Sequence, residues 1–374
     1  MRILYISNSV IPSRTANSIH VMKMCQGFAN NGHEVVLLAP AIKHKYEKNV
    51  NDIYEFYGVK RKFKIIKLWY PNFLGGALFY SLAIFFYILN NKNFNLVYGR
   101  FLYGCYVAAL LKKKVILEEH GSMTDTKKHV LLIFKKLLKN KYFEKLIVIS
   151  DALKNIYLNK KFLQESKIVV AHDGADEVFD FDVTANLLGD KNSLKIGYVG
   201  HLYKGRGIEI IIECAKKIND MTFHIVGGNY KEIDYWNNFL QNLGLDNIFF
   251  YGFKTPNETL KYRNSFDIVL APYTKNVSVM EVKGKNQLET SQFMSPLKIF
   301  EYMSHKKPII ASDLSVIREV LNEKNSILVE YNNIDLWVSS LNRLKDFNLR
   351  KQIAANAFND FKNYTWKKRA LSVL

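Results

Sequence analysis

The feature that most constrains this chain is a rhythm that runs through it twice. Apolar runs of strand length alternate with amphipathic stretches of helix length, beginning at the first residues. Arg2–Ser7 reads as a strand, Ser18–Asn31 as a helix stopped by Gly32, and Glu34–Ala39 as the next strand. Further strands are expected at Asn95–Gly99, Val115–Glu119, Leu146–Ser150 and Lys167–Ala171, with helices between them. Repeated strand–helix–strand units predict a parallel sheet covered on both faces. Val178–Asn192 is rich in Asp and Asn and lacks an apolar period, so it reads as a linker. The rhythm then restarts with a strand at Leu194–Val199, a helix at Ile208–Asn219 and a strand at Thr222–Val226. Strands at Phe249–Tyr251, Asp267–Ala271, Pro308–Ala311 and Ile327–Val329 follow. The fold class is therefore α/β, with two doubly wound domains in series, and 374 residues suffice for two cores. Open sheets of this kind bind ligands beyond the carboxyl ends of their strands.

Charge and cysteine usage narrow the partners. The net charge is +19, of which residues 1–185 carry +12. Such a field favours polyanions: nucleic acid, acidic lipid or phosphorylated substrates. No paired Cys/His ligands and no aromatic RNA-binding signature occur, so nucleic acid is not expected as a partner. Cys25, Cys105 and Cys214 are isolated, which fits a reducing cytoplasm and excludes a metal site built from cysteine pairs. The chain opens directly on a strand, without the layout of a secretory signal. Phe73–Leu89 is almost wholly apolar. Its length admits a membrane span, a buried packing helix or a helix lying on a membrane face. The αβ alternation on both sides argues against a span. The neighbouring Lys60, Arg61, Lys62, Lys64 and Lys67 favour a membrane face.

Four constellations carry candidate chemistry. In Gly197-Tyr198-Val199-Gly200-His201-Leu202-Tyr203-Lys204-Gly205-Arg206-Gly207 a strand ends at Gly200 and a helix starts near Gly207. Arg206 stands before that helix, where amides and dipole already favour anions, and could grip a diphosphate. In Ser295-Pro296-Leu297-Lys298-Ile299-Phe300-Glu301-Tyr302-Met303, Ser295 reads as the N-cap and Pro296 as the first helical residue. Glu301, just over one turn further in, could accept hydrogen bonds from a ribose diol. His120 sits at the carboxyl end of the strand Val115–Glu119, before Gly121, and competes with the plain reading of a core histidine. The polar loop Pro12–Ser18 leads from the first strand into a helix start at Asn17 or Ser18. The polar stretch Val277–Phe293 reads as a long loop.

In their order and spacing these motifs resemble the family-four retaining glycosyltransferases. The resemblance rests on the opening strand, "GHEV" at Gly32–Val35, the strand-end His120, the glycine-rich turn and "PLKIFEYM" at Pro296–Met303. It implies the GT-B fold, two Rossmann-like domains facing a central cleft. Residues 1–185 would form the acceptor domain and 190–361 the nucleotide-sugar donor domain, with a closing helix at 362–374 returning to the first. It implies Arg206 on the donor diphosphate, Glu301 on the ribose and His120 on the sugar. Ala16, Asn17, Gly200, His201, Phe253, Ser295, Pro296, Leu297 and Lys298 complete the implied donor-binding set. The departures are specific. His201 stands where the family has an arginine, with Lys204 or Lys298 as substitutes. Phe293 stands where it has its first glutamate, with Glu281 and Glu289 as substitutes, and Thr15 and Ala16 replace paired glycines.

The reaction so implied needs no metal and no cofactor beyond a nucleoside-diphosphate sugar, with UDP or GDP as the expected nucleotide. The expected acceptor is a glycan or lipid-linked molecule of bacterial surface polysaccharide, capsule, lipopolysaccharide or glycoconjugate synthesis. The expected location is the cytoplasm, with the basic first domain against the inner face of the plasma membrane. The competing readings are a sugar-nucleotide epimerase and a catalytically silent GT-B binding subunit. A dinucleotide oxidoreductase is disfavoured, because no G-x-G-x-x-G follows the first strand.

Overall fold

A computed structural model of the chain describes residues 1–42, 47, 49–71, 73, 75–124, 126–277 and 290–374. It divides into two compact units, Met1–Asp173 with Trp366–Leu374, and Gly174–Thr365. In chain order the first unit contains β1 (Arg2–Ile6), α1 (Ala16–Asn30), β2 (Glu34–Pro40), α2 (Ile53–Phe56), β3 (Lys64–Leu68), α3 (Gly76–Asn90), β4 (Leu96–Gly99), α4 (Leu102–Leu110), β5 (Val115–Glu119), α5 (Lys128–Leu138), β6 (Phe143–Val148), α6 (Asp151–Asn159) and β7 (Ile168–Val170). The second contains β8 (Leu194–Val199), α7 (Ile208–Lys217), β9 (Met221–Val226), α8 (Tyr230–Asn242), β10 (Ile248–Phe250), α9 (Pro256–Ser265), β11 (Ile268–Ala271), α10 (Leu297–Ser304), β12 (Ile309–Ser312), α11 (Ser315–Arg318), β13 (Ile327–Val329), α12 (Ile334–Arg343) and α13 (Phe347–Phe361). The final helix, α14 (Trp366–Ser372), belongs to the first unit.

The first sheet runs β3-β2-β1-β4-β5-β6-β7 and the second β10-β9-β8-β11-β12-β13, with neighbouring strands parallel throughout. The strand order reverses between β1 and β4 and between β8 and β11, which is where such sheets open a crevice for ligands. Central strands are buried on both faces, as in Ile3–Ile6 and Ile268–Ala271, because helices cover each side. This is the two-domain α/β GT-B architecture expected above.

Local chemistry sets the element boundaries. Thr15 caps α1, its Oγ1 accepting from Ser18 N at 3.3 Å, so this helix starts at Ala16, before the Asn17 or Ser18 expected. Asn229–Glu232 and Thr255–Glu258 form reciprocal capping boxes on α8 and α9. Gly207, at φ 82°, takes the left-handed turn that admits α7. Two readings need correction. Lys60–Lys67 includes the edge strand β3, whose exposed Lys64 and Lys67 guard an unpaired edge. Its mixed Lys/Ile pattern hid it among surface charges. The segment after Asp173 also lies against the second unit: Asn264 Nδ2 donates to Asp180 O and Val183 O, and Ser265 Oγ accepts from Ala185 N.

Among the described residues no helix is long and apolar enough to cross a membrane. α3 buries Gly76, Tyr80, Ser81, Ile84 and Ile88 and packs on α4, while Leu78, Leu82, Phe86 and Leu89 face outward.

Candidate functional site

In the second unit the predicted donor residues gather at the carboxyl ends of β8 and β11. Tyr302, on α10, inserts its hydroxyl at the strand reversal, where it accepts from Val199 N at 2.9 Å and donates to Leu270 O at 3.4 Å. That pair of bonds fixes α10 against both strands. One turn earlier on α10, Lys298 is buried beneath the Gly200 turn; a Cβ at Gly200 would lie 2.8 Å from Lys298 Nζ. Only glycine, at φ 153°, leaves that space. The ammonium lies 3.5 Å from the Tyr198 ring centre and 5.2 Å from that of Tyr273, and among the described residues it has no hydrogen-bond partner. Burial, followed by repulsion from Arg206, holds Lys298 well below the usual lysine range. Arg206 lies over Tyr273 at 5.6 Å.

The remaining predicted residues of this unit divide. Glu301 is engaged by the buried Arg263, whose Nη1 lies 3.2 Å from Glu301 Oε2. His201 stacks on Tyr203 with ring centres 4.7 Å apart. Of the two substitutes for the family arginine, Lys298 is buried beside Arg206 and Lys204 is exposed. Phe253 follows β10, whose end meets the same turn region through the Gly227–Gly252 bridge. Ser295 is not the cap of α10. Pro296, extended at ψ 118°, takes that position and Leu297 is the first helical residue. Among the described residues no side chain caps this helix, which leaves first-turn amides of α10 for another acceptor. Phe293 is buried, and Glu281 and Glu289 lie outside the described residues.

The first unit presents a different arrangement around His120. His120 Nε2 donates to Glu118 Oε1 at 2.7 Å. Arg369 Nη2, from α14, donates to the same oxygen at 2.7 Å, and Tyr98 OH donates to Oε2. His20, on α1, lies between two carboxylates, with Nε2 2.9 Å from Glu118 Oε1 and Nδ1 2.8 Å from Asp173 Oδ1. Arg369 Nε also donates to His172 O at 2.8 Å, so the closing helix is stitched to this cluster. Burial alone would raise the Glu118 carboxyl, but Arg369 and His20 override it and hold it well below the usual range. His120 is pushed down to about 3 by burial, with Arg100 and His20 adding to the effect, so its ring is neutral. Ala16 and Asn17 are exposed in the first turn of α1, with Asn17 one turn before His20. His20, His120 and Asp173 could reach a common cation. Arg369 already places a guanidinium 4.0 Å from Asp173 Oδ1, and both His20 nitrogens face carboxylates, so an ion-pair network accounts for the cluster.

Glu118, Arg369, Arg263 and Tyr198 were not singled out from the sequence as site residues. Glu118 had a legible signal: positions two apart on a strand share a face, so Glu118 and His120 had to meet. Arg369 had none, because its partner lies some 250 residues away.

Comparison with known proteins agrees with this fold. Residues 18–178 match the model of Glycosyltransferase Family 4, and residues 193–346 match that of Glycosyl transferases group 1. An uncharacterised glycosyltransferase of Methanocaldococcus jannaschii is 23% identical across 93% of this chain and 90% of its own. A sucrose-phosphate synthase from Thermosynechococcus elongatus shares the fold with a TM-score of 0.72 at 16% identity, covering 99% of this chain and 96% of that one. Anabaena HepE, solved in complex with UDP, shares it at 0.70 and 17% identity, covering 98% and 96%. The chain belongs to the family-4, group 1 glycosyltransferases, enzymes of the GT-B fold that transfer a sugar to an acceptor.

Proposed function

We propose that the chain transfers a sugar from a UDP- or GDP-sugar to a glycan or lipid-linked acceptor with retention of anomeric configuration, in the assembly of a surface polysaccharide or glycoconjugate. The observation that carries this reading is the buried ammonium of Lys298 beside Arg206, without a hydrogen-bond partner among the described residues, under a glycine turn and next to a helix start that no described side chain caps. Such a site is costly until an anion fills it. A diphosphate supplies that anion, and the HepE neighbour is a UDP complex. Glu301, held by Arg263, faces the ribose. His120 contacts the donor sugar.

In the reaction the acceptor oxygen bonds to the anomeric carbon as the bond from that carbon to the phosphate oxygen breaks. The acceptor proton passes to the leaving phosphate. Arg206, Lys298 and the α10 amides stabilise the charge growing on that phosphate, the term that dominates reactions of this type. On this reading the two side-chain cations do the work a divalent ion would otherwise do.

The acceptor side adds a membrane contact at the cytoplasmic face. The outward row Leu78, Leu82, Phe86 and Leu89 on α3, with exposed Trp69 and Phe73, adjoins a strand edge bearing Lys64 and Lys67. Apolar anchors beside lysines suit anionic bilayers. Co-sedimentation with anionic but not neutral vesicles tests this part.

Calorimetry with UDP, GDP, ADP and CMP on the wild type and Arg206→Ala tests the donor reading. One nucleoside diphosphate should bind, and saturation at 100 times its Kd should stabilise the fold by about 2.7 kcal/mol. Arg206→Ala should abolish the effect. Failure of every nucleotide to bind well-folded protein would shift the reading to a silent binding subunit.

A further inference from the structure

The network behind His120 does more than bury polar groups. Two hydrogen bonds, from His120 Nε2 and Arg369 Nη2, end on one oxygen of Glu118, each at 2.7 Å, and Tyr98 OH takes the other oxygen. The carboxyl is fully buried, so its protonation state depends on what surrounds it. While Arg369 stands against it, Glu118 is an anion and can only accept. His120 must then carry its proton on Nε2. Its other nitrogen, Nδ1, is left with a lone pair and no partner among the described residues, on a side chain that is 20% exposed.

We propose that Glu118 and Arg369 are positioning residues that lock His120 in the neutral Nε2–H tautomer, so that Nδ1 faces the donor sugar as an obligate hydrogen-bond acceptor. This rests on the reading of His120 as a sugar contact. The consequence is chemical. A neutral acceptor takes a hydrogen bond from a sugar hydroxyl, whose proton stays on its oxygen, without setting a positive charge against the positive charge that develops on the sugar ring. Enzymes do hold an imidazole neutral near pH 7 through its surroundings. Arg369 is the controlling element because it arrives on the last helix of the chain. Without it, only His20, whose Nε2 lies 2.9 Å from the same Oε1, would remain to offset burial; Glu118 would be drawn toward its protonated form, whose O–H would then donate to His120 Nε2. The His120 proton would move to Nδ1 and the acceptor would become a donor.

The test is nitrogen NMR of the full chain labelled with ¹⁵N-histidine. The wild type should show His120 as the Nε2–H tautomer from pH 6 to 8. Arg369→Lys, which keeps a cation, should preserve it. Arg369→Met should convert the major His120 signal to the Nδ1–H form, in protein whose near-UV circular dichroism remains native. A wild-type Nδ1–H signal, or an unchanged Nε2–H signal in folded Arg369→Met, overturns the proposal. The wild-type spectrum decides even where Arg369→Met does not fold. Calorimetry with UDP separates the two readings: loss of nucleotide binding with the tautomer intact removes the donor assignment alone, and the converse removes only the positioning role.

Discussion

The two units solve opposite electrostatic problems with the same architecture. At the strand ends of the first, buried charges are matched: Glu118 and Asp173 face Arg369 and His20, and every oxygen of Glu118 is occupied. At the strand ends of the second, Arg206, Arg263 and Lys298 lie around the carboxylate Glu301, which Arg263 already holds. The first site is complete as folded and serves to hold one neutral imidazole. Among the described residues the second is short of negative charge, and Lys298 has no hydrogen-bond partner there. An excess of one sign in a folded, buried site is a record of what binds there, because folding alone has no use for it.

Mutations that remove one charge from each unit should therefore differ sharply in their effect on stability. Glu118→Ala leaves Arg369 buried without its carboxylate. Breaking such a pair costs about 3–5 kcal/mol, so denaturant unfolding should show the largest loss here. Arg206→Ala should leave apo stability nearly unchanged while kcat falls about 10²–10³-fold, the usual effect of losing one group that stabilises the leaving charge. A stability loss at Arg206 comparable to that at Glu118 would erase the distinction.

Glu119 sharpens the comparison inside the first unit. It neighbours Glu118 in sequence but alternates to the other face of β5, with no Arg369 to hold it. Burial pushes its carboxyl up to about 8. An acid whose folded pKa is raised contributes stability that is fully present below its unfolded value, near 4.5, and lost as pH rises through about 8. Glu119→Gln should accordingly stabilise the chain by about 2–3 kcal/mol at pH 8, allowing for its partial exposure, and by little at pH 4. Urea midpoints at the two pH values decide it. Equal effects at both would mean that the carboxyl is not held protonated.

The sheets, their order of chemistry along the chain and the glycine turn were all legible in the sequence, because apolar period and turn residues are local signals. Arg206, Lys298 and Glu301 were singled out for the same reason, each lying near a recognisable helix start. What escaped was set by distance or by exposure. Arg369 reaches Glu118 across most of the chain, and no local pattern announces it. β3 escaped because an edge strand carries lysines on purpose. The cap of α10 moved by one residue because Pro296 adopts extended backbone where a helical first position was expected, and both conformations share its fixed φ.

Lys298→Met is the smallest expected effect and the most pointed. The substitution keeps a long unbranched stem under Tyr198 and Gly200 and removes the ammonium. In a site built for stability, deleting a buried cation that stacks on an aromatic ring would weaken the fold. Here the ammonium has no hydrogen bond among the described residues and is repelled by Arg206, so its loss should be neutral or stabilise the apo chain by about 1 kcal/mol, raising Tm by about 2–4 °C. The same variant should lose about tenfold in nucleoside diphosphate affinity, the cost of about 1.5 kcal/mol for one charged hydrogen bond. Thermal unfolding with and without nucleotide reads both numbers from one sample. A gain without ligand and a smaller gain on adding it would mean that Lys298 is kept for the anion. A plain loss of Tm would make it a structural cation, and the contrast between the two units would rest on Arg206 alone.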